Sequence, residues 1–294
     1  MIPILLALAA IQSPAAAAPP AEAAENPAAV AAPDAAAENR YRACTAQVRA
    51  EPLRAAETAN AWQRVGGGLL ARQCLGLAYV ALERWEPAAT VYEQAARDAA
   101  AARDPRNADF WVQAGNAWLA GSNATRAVQA FDAALATTTL SDQLRGEVHV
   151  DRARAQAAMG NASAARADLD RALQLVPADP FAWYMSAALA RRESNLTRAR
   201  TDIGRAMQLA PDNPDIVLLA GTLAGLGGNM AEAERLYRRV AEGAPDTDAG
   251  RTARASLETL REVEVPAGTA PAAPAPQAPP PQAQPQPQPQ PQLR

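Results

Sequence analysis

Residues 171–180 read "RALQLVPADP", and 34 positions later residues 205–214 read "RAMQLAPDNP". In each copy a helical pattern of basic and apolar residues stops at Pro177 or Pro211, because proline has no N–H to give and its ring clashes with the preceding turn. Two residues further on, Asp179 or Asn213 stands directly before Pro180 or Pro214. That order is a helix N-cap followed by proline at the first helical position, where the missing N–H costs nothing. One helix ends and the next begins within a few residues, twice, at a fixed interval.

The interval extends in both directions. Pro177, Pro211 and Pro245 are spaced by 34, with Ala165, Ala199 and Ala233 in step ahead of them and Asn161, Asn195 and Asn229 in step ahead of those. One unit earlier the same signals stand at Asn123, Ala127, Phe131 and Ala134, offset by 38, and Gly76, Tyr79, Ala88, Tyr92 and Ala95 precede Gly115, Trp118, Ala127, Phe131 and Ala134 by 39. A period in the thirties means that one supersecondary unit is stacked on copies of itself, since no single unit buries its apolar face alone. Within each unit a Ser-Asn or Gly-Asn pair at 122–123, 160–161, 194–195 or 228–229 marks the corner between two helices. Gly and Asn tolerate the left-handed conformation there, and the Ser or Thr that follows is expected to cap the second helix. Three N-x-S/T sequons, at Asn123, Asn161 and Asn195, fall at these corners, and the turn explains them without glycosylation.

The 294 residues are 49% hydrophobic and only 4% aromatic, with 25 prolines, which is enough for a substantial core plus non-globular segments. The chain contains no lysine; 28 arginines are set against 31 acidic residues, for a net charge of -3. No concentrated positive field is available for phosphate backbones, so nucleic acid is not an expected partner. The start, "MIPILLALAAIQSPAAAAPPAEAAEN", has an apolar run from Ile4 to Ile11, the length of a signal-peptide h-region and too short for a membrane span. It predicts export, although its n-region lacks Lys and Arg. Residues 15–38 and the end of the chain, "PAGTAPAAPAPQAPPPQAQPQPQPQPQLR" (266–294), have compositions that cannot bury enough apolar surface to offset ordering entropy. Both are expected to be disordered, the tail as polyproline II.

In "FWVQAGNAWLAGSNATRAVQAFDAAL" (110–135), Trp111, Ala114, Gly115, Trp118, Ala127, Phe131 and Ala134 occupy the positions of a known signature. The chain resembles the tetratricopeptide repeat (TPR) family. The resemblance implies an all-α fold, a right-handed superhelical solenoid of helix-turn-helix repeats with disordered termini. Gly115 and Ala127 let two helices approach closely, and Trp111, Trp118 and Phe131 fill the space between successive pairs. The expected organisation is a signal peptide at 1–23, a linker at 24–38 and a solenoid at 39–264, followed by a Pro/Gln-rich tail at 265–294. Within the solenoid a degenerate repeat at 36–68, with Ala55, Ala59 and Trp62 on its second helix, precedes repeats at 69–107, 108–145, 146–179, 180–213 and 214–247 and a polar-faced capping helix at 248–264. The 146–179 repeat departs from the pattern: His149, Arg152, Ala153 and Gln156 stand where large apolar residues belong.

Nothing in the sequence assembles catalytic chemistry. His149, the single histidine, has no nucleophile or carboxylate at a motif spacing. "RVGGGLL" (64–70) lacks the Lys-Ser/Thr of a phosphate loop and reads as a break between repeats. No cofactor, metal site, small-molecule substrate or catalytic residue is expected. Cys44 and Cys74 are an even pair that an oxidising compartment would allow to bridge. The resemblance places them on the first helices of adjacent repeats, which stand side by side in this family, so that a disulfide would staple the weak end repeat. It also implies a concave groove for a peptide or protein, lined by Gln73, Leu77, Val80, Val112, Asn116, Leu119, Val150, Arg154, Tyr184, Arg191, Arg192, Leu218 and Thr222, apolar at one end and basic with an aromatic in the middle. Gln73, Asn116, Arg154, Tyr184, Arg191 and Arg192 are the candidate binding residues. The expected function is a non-enzymatic protein-binding scaffold of the periplasm or another exported site. The alternative is a cell-envelope spacer or assembly factor acting through its tail.

Overall fold

The computed structural model describes residues 35–264; the expected signal peptide, most of the expected linker and the tail lie outside them. The described residues form thirteen helices: α1 (Ala35–Ala50), α2 (Pro52–Arg64), α3 (Gly68–Ala81), α4 (Trp85–Ala101), α5 (Asn107–Ala120), α6 (Ala124–Leu135), α7 (Asp142–Ala158), α8 (Ala162–Leu175), α9 (Pro180–Arg192), α10 (Leu196–Leu209), α11 (Pro214–Leu226), α12 (Met230–Gly243) and α13 (Asp248–Glu264). No strand occurs among the described residues. The first helix begins at Ala35, inside the stretch read as linker, and α7 begins before residue 146 because Ser141 caps it, accepting the Leu144 N–H at 3.2 Å.

The seams are built as the sequence predicts. The Asp179 carboxylate accepts the N–H of Phe181 at 2.8 Å, and the Asn213 amide oxygen accepts those of Asp215 and Ile216 at 3.1 and 3.2 Å. Pro180 and Pro214 sit in the first turn of α9 and α11. At the corners the division of labour differs from the expectation. The left-handed residue is the first of each pair: Ser122 (φ 61°), Gly160 (81°), Ser194 (59°) and Gly228 (81°). Asn123, Asn195 and Asn229 then cap the second helices, their side chains accepting the N–H groups of Arg126, Arg198 and Glu232 at 3.1–3.2 Å. The neighbouring Ser and Thr do not cap. Serine in the left-handed region carries a steric cost that glycine avoids, of about 1–2 kcal/mol before glycine's own entropy is counted. The pair Ser122→Gly and Ser194→Gly should therefore raise the unfolding free energy read by urea denaturation, by about 0.5–1 kcal/mol per site.

Consecutive helices pack as antiparallel pairs, and the odd-numbered helices also pack on one another, α5 on α7, α7 on α9, α9 on α11 and α11 on α13, to form the inner wall of the solenoid. Close approach depends on glycine where the family signature places it. A Cβ on Gly115 would lie 2.5 Å from the Phe131 ring, one on Gly76 2.4 Å from Tyr92 and one on Gly221 2.9 Å from Tyr237. Because a ring from the second helix lies directly on first-helix backbone, the pair closes without a void. The far end is sealed by α13, which buries Ala249, Ala253 and Leu257 and leaves most of its other side chains exposed.

The irregular 146–179 repeat forms a complete first helix, and its unexpected residues share one partner. Asp168 on α8, 4% exposed, accepts from His149 Nδ1 at 2.8 Å and from Arg152 Nε and Nη2 at 2.9 and 2.6 Å. Arg152 reaches on to Asp132 of α6 at 2.5 Å. In the next repeat the equivalent residues are Ser186 and Asp202, joined at 2.6 Å, with Arg166 donating to Ser186 at 2.7 Å. In the preceding repeat they are Ala114 and Ala130. A small apolar pair has been exchanged for a polar one, which gives His149 a structural partner.

Candidate functional site

The inner wall is where the fold leaves polar and aromatic side chains uncommitted to the core. Six residues were expected there, and the structure divides them among three places. Gln73 lines a cleft of about 250 Å³ at the N-terminal end, together with Arg106, Asp109, Phe110, Val112, Gln113 and Leu144. Arg106 is held by Asp104, whose carboxylate accepts from Nε and Nη2 at 3.0 and 2.7 Å. Those bonds keep the Asp104 carboxyl below its ordinary range.

Asn116, Arg154 and Tyr184 meet in the centre around two residues that the sequence did not single out, Asp151 and Phe181. The Asp151 carboxylate accepts from Arg154 at 2.9 Å and is supported by the Asn116 amide from the adjacent wall helix. Burial nevertheless pushes its pKa up, and Glu147 one turn away adds to the rise. The Arg154 guanidinium also lies 5.8 Å from the centre of the Phe181 ring, within cation–π range. Phe181, 42% exposed, stacks with Tyr184 at a centroid distance of 6.1 Å and an interplanar angle of 27°. Burial raises the Tyr184 pKa, with Asp215 of α11 adding to the rise and Arg191 opposing it, so the phenol is a neutral donor at physiological pH. The centre of the groove is thus an aromatic platform flanked by compensated charge. Arg154, one of the three arginines expected to make the middle of the groove basic, is thus paired with Asp151.

Arg191 and Arg192 occupy the last turn of α9, where a cation suits the helix dipole. Both are exposed, and neither forms an ion pair among the described residues. Val150 does not line the groove; it is 2% exposed and packs between α8 and α9. Thr222 turns toward α12, where its hydroxyl accepts from Tyr237 at 3.3 Å. Local spacing offered a signal for the two missed residues: Asp151–Arg154 and Phe181–Tyr184 are both i,i+3 pairs on one helix face. Among the described residues, no group of three or more His, Cys, Asp or Glu side chains is placed to hold a metal ion. No described helix is long and apolar enough to cross a membrane.

At the N-terminal end Cys44 of α1 and Cys74 of α3 are joined by a disulfide, with a Cα–Cα distance of 6.2 Å. The bridge links the end repeat to its neighbour.

No protein-family model matches the sequence, and no curated protein is significantly similar to it. Solved structures do match. PilW, a type IV pilus biogenesis factor, superposes with a TM-score of 0.61 at 19% identity, over 74% of this chain and 98% of its own. PilF of Pseudomonas aeruginosa gives 0.59 at 17% identity, over 75% and 98%. MamA of Desulfovibrio magneticus gives 0.51 at 16%, over 61% and 97%.

Proposed function

We propose that this chain, which has the tetratricopeptide repeat fold, is a non-enzymatic scaffold that holds a protein or peptide segment against its inner wall. One observation carries the reading: the Phe181–Tyr184 pair, Phe181 exposed and Tyr184 half-buried, set beside Asp151, Arg154 and Asn116, lies on the face where successive repeats converge. Rigid aromatic rings give contact area at small entropic cost, and neighbouring amide, carboxylate and phenol groups orient a backbone. On the second helices, charged side chains pair within their own helix, as in Arg235–Glu232 and Arg97–Glu93. Such pairs are ordinary solvated surface.

The disulfide supports work in an oxidising compartment, in keeping with the apolar N-terminal run. PilW is described as a pilus biogenesis factor, and that likeness favours an envelope assembly role as the second reading. The test is site-specific photo-cross-linking in the envelope. A photoreactive residue placed at Asn116 or Tyr184, on the inner wall, should trap the same partner, whereas one at Gln129 or Arg205, exposed on the second helices, should trap none. Equal trapping from the outer positions, or none from either inner one, would reject the groove.

A further inference from the structure

The central platform is aromatic, and the chain carries a segment whose chemistry suits it. Resting on the groove reading, we propose that the chain's own Pro/Gln-rich tail docks in polyproline II form on Phe181 and Tyr184 and occupies the groove until a partner displaces it.

Three observations converge on that occupant. The platform presents an exposed Phe181 ring stacked on a half-buried Tyr184, aromatic surface of the kind on which proline rings pack, with donors at its rim for the unpaired carbonyls of a polyproline II strand. Asp151, the carboxylate beside the rings, is already paired with Arg154 at 2.9 Å, so a cationic segment gains little there, and the aromatic surface asks for no charge on the ligand. Residues 265–293 contain no charged side chain and alternate Pro with Gln from 285 to 292. Glutamine amides can both donate to Asp151 and accept from Asn116.

The tail also reaches. It leaves from the end of α13, which packs on α11, which packs on α9. Two helix spacings of roughly 10 Å, combined with the roughly 20 Å length of α9, set a span on the order of 30 Å. About ten residues of polyproline II cover that distance at ~3.1 Å each, which brings the segment from 276 onward to the rings. A tether of this kind sets an effective concentration of about 1 mM, so a segment with an intrinsic Kd of about 0.1 mM is docked about ten to one.

The experiment uses the full-length chain and a fluorescein-labelled peptide of residues 274–292. Its affinity is measured by anisotropy for the wild type and for a full-length chain with every proline between 274 and 291 replaced by serine. The serine chain should bind the peptide about tenfold more tightly than the wild type, because its groove is vacant. Adding Phe181→Ala with Tyr184→Ala should abolish that binding. Phe181→Leu, which keeps apolar volume and removes the aromatic face, should weaken it without disturbing helix content. Equal affinity for wild type and serine chain, no binding to the serine chain, or binding that survives both platform variants would overturn the proposal. So would a wild-type affinity that recovers on dilution, which would assign the occupant to a second copy. If the peptide fails while inner-wall cross-linking persists, the tail is excluded and the groove stands.

Discussion

Replacing Asp168 with alanine should lower the unfolding free energy by about 3–5 kcal/mol, because it leaves a guanidinium without its buried partner. The carboxylate side chain is 5% exposed and accepts from both His149 and Arg152, whose side chains are themselves 14% and 22% exposed. Asp132, the second partner of Arg152, is more than half exposed and cannot compensate. The fold also supplies the repair. One repeat earlier, the equivalent residues are Trp111, Ala114 and Ala130. The triple variant His149→Trp, Arg152→Ala and Asp168→Ala should recover most of the loss, since an apolar replacement of a whole buried ion pair is often neutral or better. Urea denaturation of the single and triple variants checks both statements, and a single-variant loss under about 1 kcal/mol would mean the network behaves like surface charge. The pH dependence has a definite sign. Burial alone would raise the Asp168 pKa, but the bonds from His149 and Arg152 outweigh it, so the folded value lies below the ordinary one. Stability from this group is then complete above the unfolded carboxylate pKa of about 3.9 and is lost as pH falls through the lower folded value. Acid unfolding of the wild type should show that loss below about pH 4, and Asp168→Ala should lack it.

What the sequence made legible is what depends on near neighbours. A stop at Pro177, a cap at Asp179 and a start at Pro180 involve residues within a few positions of one another, so they appear as spacing in one dimension. The corners were only half readable. Both members of a Ser-Asn pair tolerate positive φ or capping, and only the geometry shows that Ser194 takes the first and Asn195 the second. The replacement of apolar positions by His149 and Arg152 was visible as a departure, but its cause was not, because Asp168 lies on the opposing helix and looks like any exposed acidic residue. The groove was the least legible part. Its character comes from contacts between repeats, Asn116 with Asp151 and Arg154 with Phe181, and a signature for each repeat describes only one wall at a time.

Removing the disulfide should cost about 3–4 kcal/mol, the loop-closure value for a separation of 30 residues, and the loss should stay at one end. In a solenoid each unit contacts only its neighbours, so a weakened terminal repeat frays without unfolding the array. The local packing makes α1 depend on the bridge, because Cys44 is its only buried residue. The cluster it joins is mostly alanine, Ala55, Ala56, Ala59 and Ala78, with Leu75 as its one large buried aliphatic side chain. Tyr41 packs there only partly buried, and Arg40 stands 5.0 Å from the Trp62 ring. Together these contacts bury little apolar area, at a coefficient of about 25 cal/mol per Å², to set against ordering a helix of 16 residues. Hydrogen exchange on the Cys44→Ala, Cys74→Ala chain should therefore show protection lost throughout α1 and reduced in α2, with α5 to α12 unchanged. Protection that persists in α1 would mean its alanine contacts suffice. A loss that spreads to α5 and beyond would show the repeats to be coupled more strongly than nearest-neighbour stacking allows.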